Sequence, residues 1–105
     1  MPVHDFNPLY SRFPSMISQM PETFTSHKFI LDLAHQHQDL YVEALFSYRH
    51  QDYEGRPAPF MNVHSMLARH LSEYPELIEK IRDDAPSTDV FGQANTCTEW
   101  RKVSS

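Results

Sequence analysis

The longest periodic feature of the sequence is an apolar stripe that runs from Phe29 to Tyr48. Its members recur at spacings of three and four residues, which is the period of one face of a helix. They are Phe29, Ile30, Leu33, Ala34, His37, Tyr41, Ala44, Leu45 and Tyr48. A stripe of this length predicts helical structure over residues 26–50.

The boundaries of this helical region follow from its polar residues. Thr25 or Ser26 can serve as the N-cap, because their hydroxyl groups can accept a bond from a free backbone N–H. The stripe thins after Ala34, and Asp39 could cap a second helix that begins at Leu40. We therefore predict two helices or one kinked helix over residues 26–50, with one long helix as the alternative.

Residues 1–24 form a separate segment, because prolines interrupt them four times. Each proline lacks a backbone donor and restricts the residue before it, which excludes a long helix. The segment nevertheless contains large apolar side chains. We predict an extended arm, with a short helical turn over 15–19 as an option. The arm packs on the domain formed by residues 25–105 or on a second copy of that domain.

The second half of the chain contains two further helical patterns and a pair of strands. One helix is predicted to start at Pro59 or Asn62, after a loop over 50–59. Pro75 suits the first turn of the next helix, predicted over Glu76–Asp83. Alternating residues between Asp89 and Lys102 predict a hairpin with a turn at 93–96.

The pattern from Val63 to Ile81 resembles the helix-turn-helix unit of many DNA-binding regulators. Leu67 and Leu71 stand where the first helix of that unit packs, and Ile78 and Ile81 where the second packs against it. The C-terminal hairpin takes the place of a wing, as in the winged-helix superfamily. The resemblance implies a DNA-reading helix over 76–83. The sequence departs from the family there, because the turn lacks glycine and the helix is acidic.

These patterns together predict a mainly α fold. It is a small helical domain of three to four helices with a helix-turn-helix-like pair, a short C-terminal β-hairpin and an extended N-terminal arm. A chain of 105 residues has room for one such domain.

Charge and cysteine content narrow the functional classes. Nine Lys and Arg stand against fourteen Asp and Glu, for a net charge of −5 with histidine neutral. Many acids lie between Glu73 and Asp89, where carboxylates would repel phosphates. The single cysteine, Cys97, excludes an intrachain disulfide framework. With neither a signal peptide nor a long apolar run in the sequence, the expected location is cytoplasmic.

Two groups of residues are candidates for binding. The possible nucleic-acid or anion contacts are Arg49, Arg56, Arg69, His70, Arg101 and Lys102. The possible protein-interface anchors are Phe6, Tyr10, Phe13, Phe46, Tyr53 and Trp100, because aromatic residues exceed what a small core needs. Phe46 falls off the main stripe and could mark a second buried face.

Catalytic and metal-binding patterns are not found in the sequence. His35 and His37 are two residues apart and His64 and His70 six apart, so neither pair shares a helix face as zinc ligands do. No motif surrounds Cys97, and two glycines are too few for a phosphate loop. We predict no enzymatic activity, no cofactor and no metal.

The sequence thus predicts a small non-enzymatic regulatory or adaptor protein that acts through protein contacts. Its expected partner is a protein or a second copy, as a homodimer. The alternative is a winged-helix-like DNA-binding transcriptional regulator. Neither a membrane partner nor a small-molecule substrate is indicated.

Overall fold

The fold combines helices with a three-stranded antiparallel sheet. The computed structural model describes residues 5–49, 52–53, 56–57, 59–88 and 94–103. Its helices are α1 (Asn7–Tyr10), α2 (Phe13–Gln19), α3 (Ser26–Gln36), α4 (Gln38–Ser47) and α5 (Pro59–His70), followed by a 3-10 turn at Leu71–Glu73. Its strands are β1 (Thr23–Thr25), β2 (Asp52–Tyr53), β3 (Arg56–Pro57), β4 (Ile78–Thr88) and β5 (Ala94–Lys102). The fold is therefore mixed α/β, and it agrees with the prediction in part, as a small helical domain with strands toward its C-terminal end.

The apolar stripe forms two helices, as predicted. Thr25 caps α3, since its hydroxyl oxygen accepts a hydrogen bond of 3.2 Å from the backbone N–H of Lys28. The backbone leaves the helical region at His37, with φ −131° and ψ 55°, and α4 begins at the next residue. Asp39 lies in the first turn of α4, where its charge favours the helix dipole, but it is not the cap.

The N-terminal segment is largely helical and buried. The prediction of an extended arm is wrong over α1 and α2, although the optional helical turn over 15–19 lies within α2 and is confirmed. Pro8 and Pro14 lie in the first turns of α1 and α2, where a proline removes no helical hydrogen bond. The segment contributes these side chains to the core: Phe6, Leu9, Phe13, Met16, Ile17 and Met20. The Lys102 ammonium donates to the carbonyls of Ser18 and Met20, at 3.2 and 3.0 Å, and so ties the end of α2 to the sheet.

The helix predicted over 76–83 is wrong, because β4 begins at Ile78. Asp83 and Asp84 would oppose the dipole at the end of a helix, and Pro86 keeps the residue before it extended. Cross-strand ion pairs add to the pairing with β5: Arg82 with Glu99 at 3.1 Å, and Arg101 with Glu79 at 2.7 Å. The helix-turn-helix-like pair is consequently not formed at these residues.

The C-terminal hairpin is longer than predicted. Its second strand, β5, occupies the expected place and pairs with β4 over Ile78–Thr88. The predicted turn at 93–96 is in part strand from Ala94 onward, and residues 89–93 lie outside the described part. β1 completes the sheet on the far side of β5, in the order β1-β5-β4.

The centre of the core lies around α3. Phe29, Ile30 and Leu33 are buried there, together with Val63 and Leu67 of α5. Trp100 of β5 is also buried, and its indole N–H donates to the hydroxyl of Ser26 at 3.0 Å. This bond satisfies both polar groups, which would otherwise be costly to bury.

Candidate interaction surface

Helix α4 exposes large apolar side chains on the face that points away from the core. Phe46 is 62% exposed and Val42 is 59% exposed, the two highest values among the exposed large hydrophobic residues described. On a helix with about 100° per residue, their shared direction is opposite that of Ala44, which is fully buried. The helix thus has apolar residues on both sides, and only one side is covered.

The covered side of α4 explains how this exposed side is held in place. Ala44 is small enough for α4 to approach the core closely. Leu40, Tyr41, Leu45 and Tyr48 flank it as partly buried residues packed against the core. Because these contacts fix the rotation of α4, Val42 and Phe46 cannot turn inward without exposing an equal apolar area.

Two opposite charges lie at the ends of the exposed face. Asp39 is exposed in the first turn of α4, and Arg49 is exposed just beyond its last residue. The Arg49 guanidinium lies over the Phe46 ring, 3.9 Å from the centroid, and donates to the Phe46 carbonyl at 2.9 Å. We call Asp39, Val42, Phe46 and Arg49 the α4 outer face. It is an apolar centre with one acidic end and one basic end.

A hydrogen-bonded pair of side chains joins α4 to α5 beside this face. The Tyr41 hydroxyl is bonded to Nε2 of His64, and the two rings stack with 5.7 Å between centroids. Burial raises the pKa of Tyr41 to about 12. The tyrosine is therefore neutral at physiological pH, and the bond adds to the stability of the α4–α5 contact.

A second cluster surrounds His70 at the end of α5. The Tyr10 ring stacks on the imidazole with 3.6 Å between centroids, and Phe13 meets it edge-on at 4.9 Å. The Tyr74 hydroxyl donates to the Tyr10 carbonyl at 3.2 Å and lies 3.1 Å from Nε2 of His70. Because a hydroxyl has one hydrogen to donate, Nε2 of His70 carries a hydrogen and donates to Tyr74.

A shallow depression of about 220 Å³ opens beside this cluster. It is lined by Tyr10, Met66, Arg69, His70 and Glu73. None of these residues has a thiol or an aliphatic hydroxyl group. The His70 ring already stacks on Tyr10 and is hydrogen-bonded to the Tyr74 hydroxyl. The depression therefore gives no basis for a nucleophilic reaction, and we assign His70 a structural role.

The His70 cluster makes stability depend on pH. Burial lowers the pKa of His70 below its ordinary value of 6.5, although the Glu73 carboxylate acts in the opposite direction. The unfolded chain then binds a proton more readily than the folded one. The contribution of neutral His70 to the free energy of unfolding is complete above pH 6.5. It is lost as the pH falls through that value toward the pKa of His70 in the folded chain.

We accordingly expect the free energy of unfolding to fall between pH 7.5 and 5.5, with a smaller fall in His70→Gln. Urea denaturation at several pH values measures both, and the matched control is His35→Gln, which replaces an exposed histidine of α3. An equal pH dependence in the wild type and in His70→Gln would contradict the assignment.

Most of the predicted basic contacts are bonded to, or stacked on, groups of the same chain. Arg101 pairs with Glu79, and Lys102 binds backbone carbonyls of the N-terminal segment. Arg69 donates to the Ser65 carbonyl at 3.4 Å, and His70 is stacked on Tyr10. The side chain of Arg56 lies outside the described part. Of the set, Arg49 alone belongs to the α4 outer face.

The predicted aromatic anchors divide into core and surface residues. Phe6, Phe13 and Trp100 are buried, so they hold the fold together and do not offer a contact surface. Tyr10 is half-buried against His70, and the side chain of Tyr53 lies outside the described part. Phe46 is exposed as an anchor should be. Val42, which the sequence analysis did not single out, lies beside it.

The described residues contain no group of three or more His, Cys, Asp or Glu side chains placed to hold a metal ion. None of their helices is both long enough and apolar enough to cross a membrane.

No protein-family model, curated protein or solved structure matches this chain.

Proposed function

We propose that the chain is a non-enzymatic interaction domain, of the regulatory or adaptor kind, that contacts protein through the α4 outer face. The single observation behind the proposal is the exposure of Phe46 and Val42 side by side on a helix that the core holds rigidly. Adjacent exposed apolar residues on a fixed element are characteristic of contact surfaces, whereas isolated ones are ordinary.

The edge strand β4 is a second exposed element, and its features make it a poorer contact surface than α4. In the described sheet β4 is an edge strand, and edge strands can add a strand from another chain. However, Lys80, Arg82 and Asp83 expose charges along it, Pro86 removes a donor, and its register with β5 shifts twice. These features discourage strand addition. The apolar centre of α4 has no comparable protection.

DNA binding has less support from the described residues. The helix that the winged-helix resemblance would place on DNA is strand β4. Its own cations, Lys80 and Arg82, pair with Asp83 and Glu99. The cations of the neighbouring strand β5 contact Glu79 and backbone carbonyl groups. We therefore do not propose the DNA-binding alternative as a second function.

Site-specific photo-crosslinking tests the proposed contact. Phe46 is replaced by a photoreactive phenylalanine in the full chain, which is expressed and illuminated in the cells that produce it. We expect a discrete covalent adduct with another protein chain, because the ring at this position is buried on contact. The same replacement of Ile81, which is 40% exposed on β4, is the matched control.

The pattern of adducts decides the outcome. A discrete adduct from position 46 that is missing or much weaker from position 81 supports the contact surface. Equal adducts from both positions, or no adduct from position 46, would overturn it. The mass of the adduct identifies the partner. An adduct of twice the 12.3 kDa chain mass is a second copy.

A further inference from the structure

We propose that the partner of the α4 outer face is a second copy of this chain, with the two α4 helices packed antiparallel and crossing at Ala44. This inference rests on the proposed function, since it names the partner of the same face. It is argued from the positions of four side chains and their charges.

The spacing of the α4 outer face is symmetric about Ala44. Val42 lies two residues before Ala44 and Phe46 lies two residues after it. Asp39 lies five residues before it and Arg49 five residues after it. An antiparallel pair that crosses at Ala44 therefore places Val42 of each copy opposite Phe46 of the other, and Asp39 opposite Arg49. Every contact occurs twice, as two-fold symmetry requires.

All four residues also point toward the same side. With about 100° per residue, Val42 and Phe46 lie within about 20° of the direction opposite Ala44, and Asp39 lies within about 40°. Arg49 lies just after the last turn of α4, and its backbone N–H donates to the Phe46 carbonyl at 3.2 Å. Its guanidinium already lies on the Phe46 ring. The face is thus one continuous stripe along α4.

Charge favours the antiparallel arrangement over the parallel one. In an antiparallel pair, the acidic end of each face meets the basic end of the other, which gives two attractive pairs. In a parallel pair, Asp39 would face Asp39 and Arg49 would face Arg49, and both contacts would be repulsive. Like charges placed together suppress a wrong arrangement, so the sequence specifies orientation as well as contact.

The size of the face sets the expected strength of association. The distance from Asp39 to Arg49 along the helix is about 15 Å, and two apolar residues per copy form its centre. Such an interface is at the small end of specific ones, and we expect a dissociation constant of about 10–100 µM. A reversible dimer of this strength responds to the concentration of the protein.

Charge reversal tests the register in the full chain. Asp39→Arg and Arg49→Asp each turn both attractive pairs into repulsive ones, and each should raise the dimer dissociation constant at least about tenfold. An equimolar mixture of the two variants again has two attractive pairs. Its heterodimer should bind within about threefold of the wild type. Sedimentation equilibrium measures all of these constants.

Two control variants distinguish an effect of the dimer register on association from an effect of net charge. Asp84→Arg and Arg12→Asp make the same changes in net charge at exposed positions outside α4 and should leave the dissociation constant unchanged. Thermal denaturation verifies that each variant is folded. Recovery of association in the equimolar mixture also excludes misfolding, since two misfolded variants would not associate with each other.

The outcomes distinguish this inference from the proposed function. Loss of association in both single variants with recovery in the mixture supports the antiparallel pair. A dimer that tolerates both reversals, or a mixture that does not recover, overturns the register but leaves the contact face intact. A wild-type chain that stays monomeric overturns the second copy as partner. A crosslink from position 46 to a different protein would then preserve the proposed function.

Discussion

Phe13→Ala is expected to lower the free energy of unfolding by about 3–5 kcal/mol. Phe13 is fully buried, and its ring packs edge-on against Phe29 of α3, with 4.8 Å between centroids. It also contacts the Tyr10 and His70 rings at 5.8 and 4.9 Å. Truncation removes these contacts and leaves a cavity between the N-terminal segment and the rest of the core.

Urea denaturation of the wild type and the variant measures this change, with Phe46→Ala as the matched control. The control removes the same atoms from an exposed site, so it should cost less than about 1 kcal/mol. Both variants are measured at a few micromolar protein, below the expected dimer dissociation constant, so that association adds little. A loss for Phe13→Ala as small as that of the control would mean that the N-terminal segment does not belong to the core.

The helices could be predicted from sequence where local signals agreed. In α3 the cap at Thr25 and the apolar spacing point to the same boundaries, and in α5 the proline at the start fits a first turn. Local sequence signals are sufficient to predict α3 and α5 because each of these helices buries one apolar face. The break at His37 was visible as a thinning of the stripe.

The N-terminal helices were missed for a physical reason. Prolines were read as helix breakers, which is correct for the interior of a helix. Pro8 and Pro14 are instead in first turns, where their fixed φ favours a helix. The apolar residues of this segment correctly indicate burial, but the sequence does not show that two short helices bury these side chains.

Strand β4 could not be predicted because its signal is not local. Ile78 and Ile81 are three residues apart, which is the spacing of a helix face and not of a strand face. The deciding contacts come from β5, about twenty residues later, through pairs such as Arg101 with Glu79. Tertiary pairing of this kind overrides local spacing.

The candidate site was only partly visible in the sequence. Phe46 stands out in the sequence because it falls off the main stripe. The expectation that it marks a second buried face is wrong, because Phe46 is 62% exposed. Phe6, Phe13 and Trp100 were chosen for their aromatic rings, which do not distinguish core from surface. A helical projection centred on Ala44 would have found Val42, together with the charges at Asp39 and Arg49.

Phe46→Ser is expected to raise the dimer dissociation constant by about 100-fold or more. Two copies of Phe46 lie at the centre of the antiparallel pair, each opposite a Val42. The substitution removes the largest apolar contact twice and leaves a hydroxyl against an apolar partner. The same residue supports the Arg49 guanidinium, so the charged ends of the face also lose their positioning.

Ile81→Ser and Val103→Ser are matched controls, since they remove exposed apolar side chains of 40% and 41% exposure from the sheet region. Neither belongs to the α4 outer face, and both variants should associate like the wild type. A dissociation constant that rises as much in a control as in Phe46→Ser would mean that association depends on general surface hydrophobicity.

Sedimentation equilibrium of the wild type and Phe46→Ser over a wide concentration range tests the claim that α4 pairs with α4 of a second copy. Between about 1 µM and 1 mM, the expected dissociation constant predicts that the wild type passes from monomer to dimer. Phe46→Ser, with a dissociation constant of about 1–10 mM, should stay almost entirely monomeric up to about 50 µM and remain at least about half monomeric at about 1 mM. A wild type that stays monomeric throughout, or a variant that dimerises equally well, would contradict the claim.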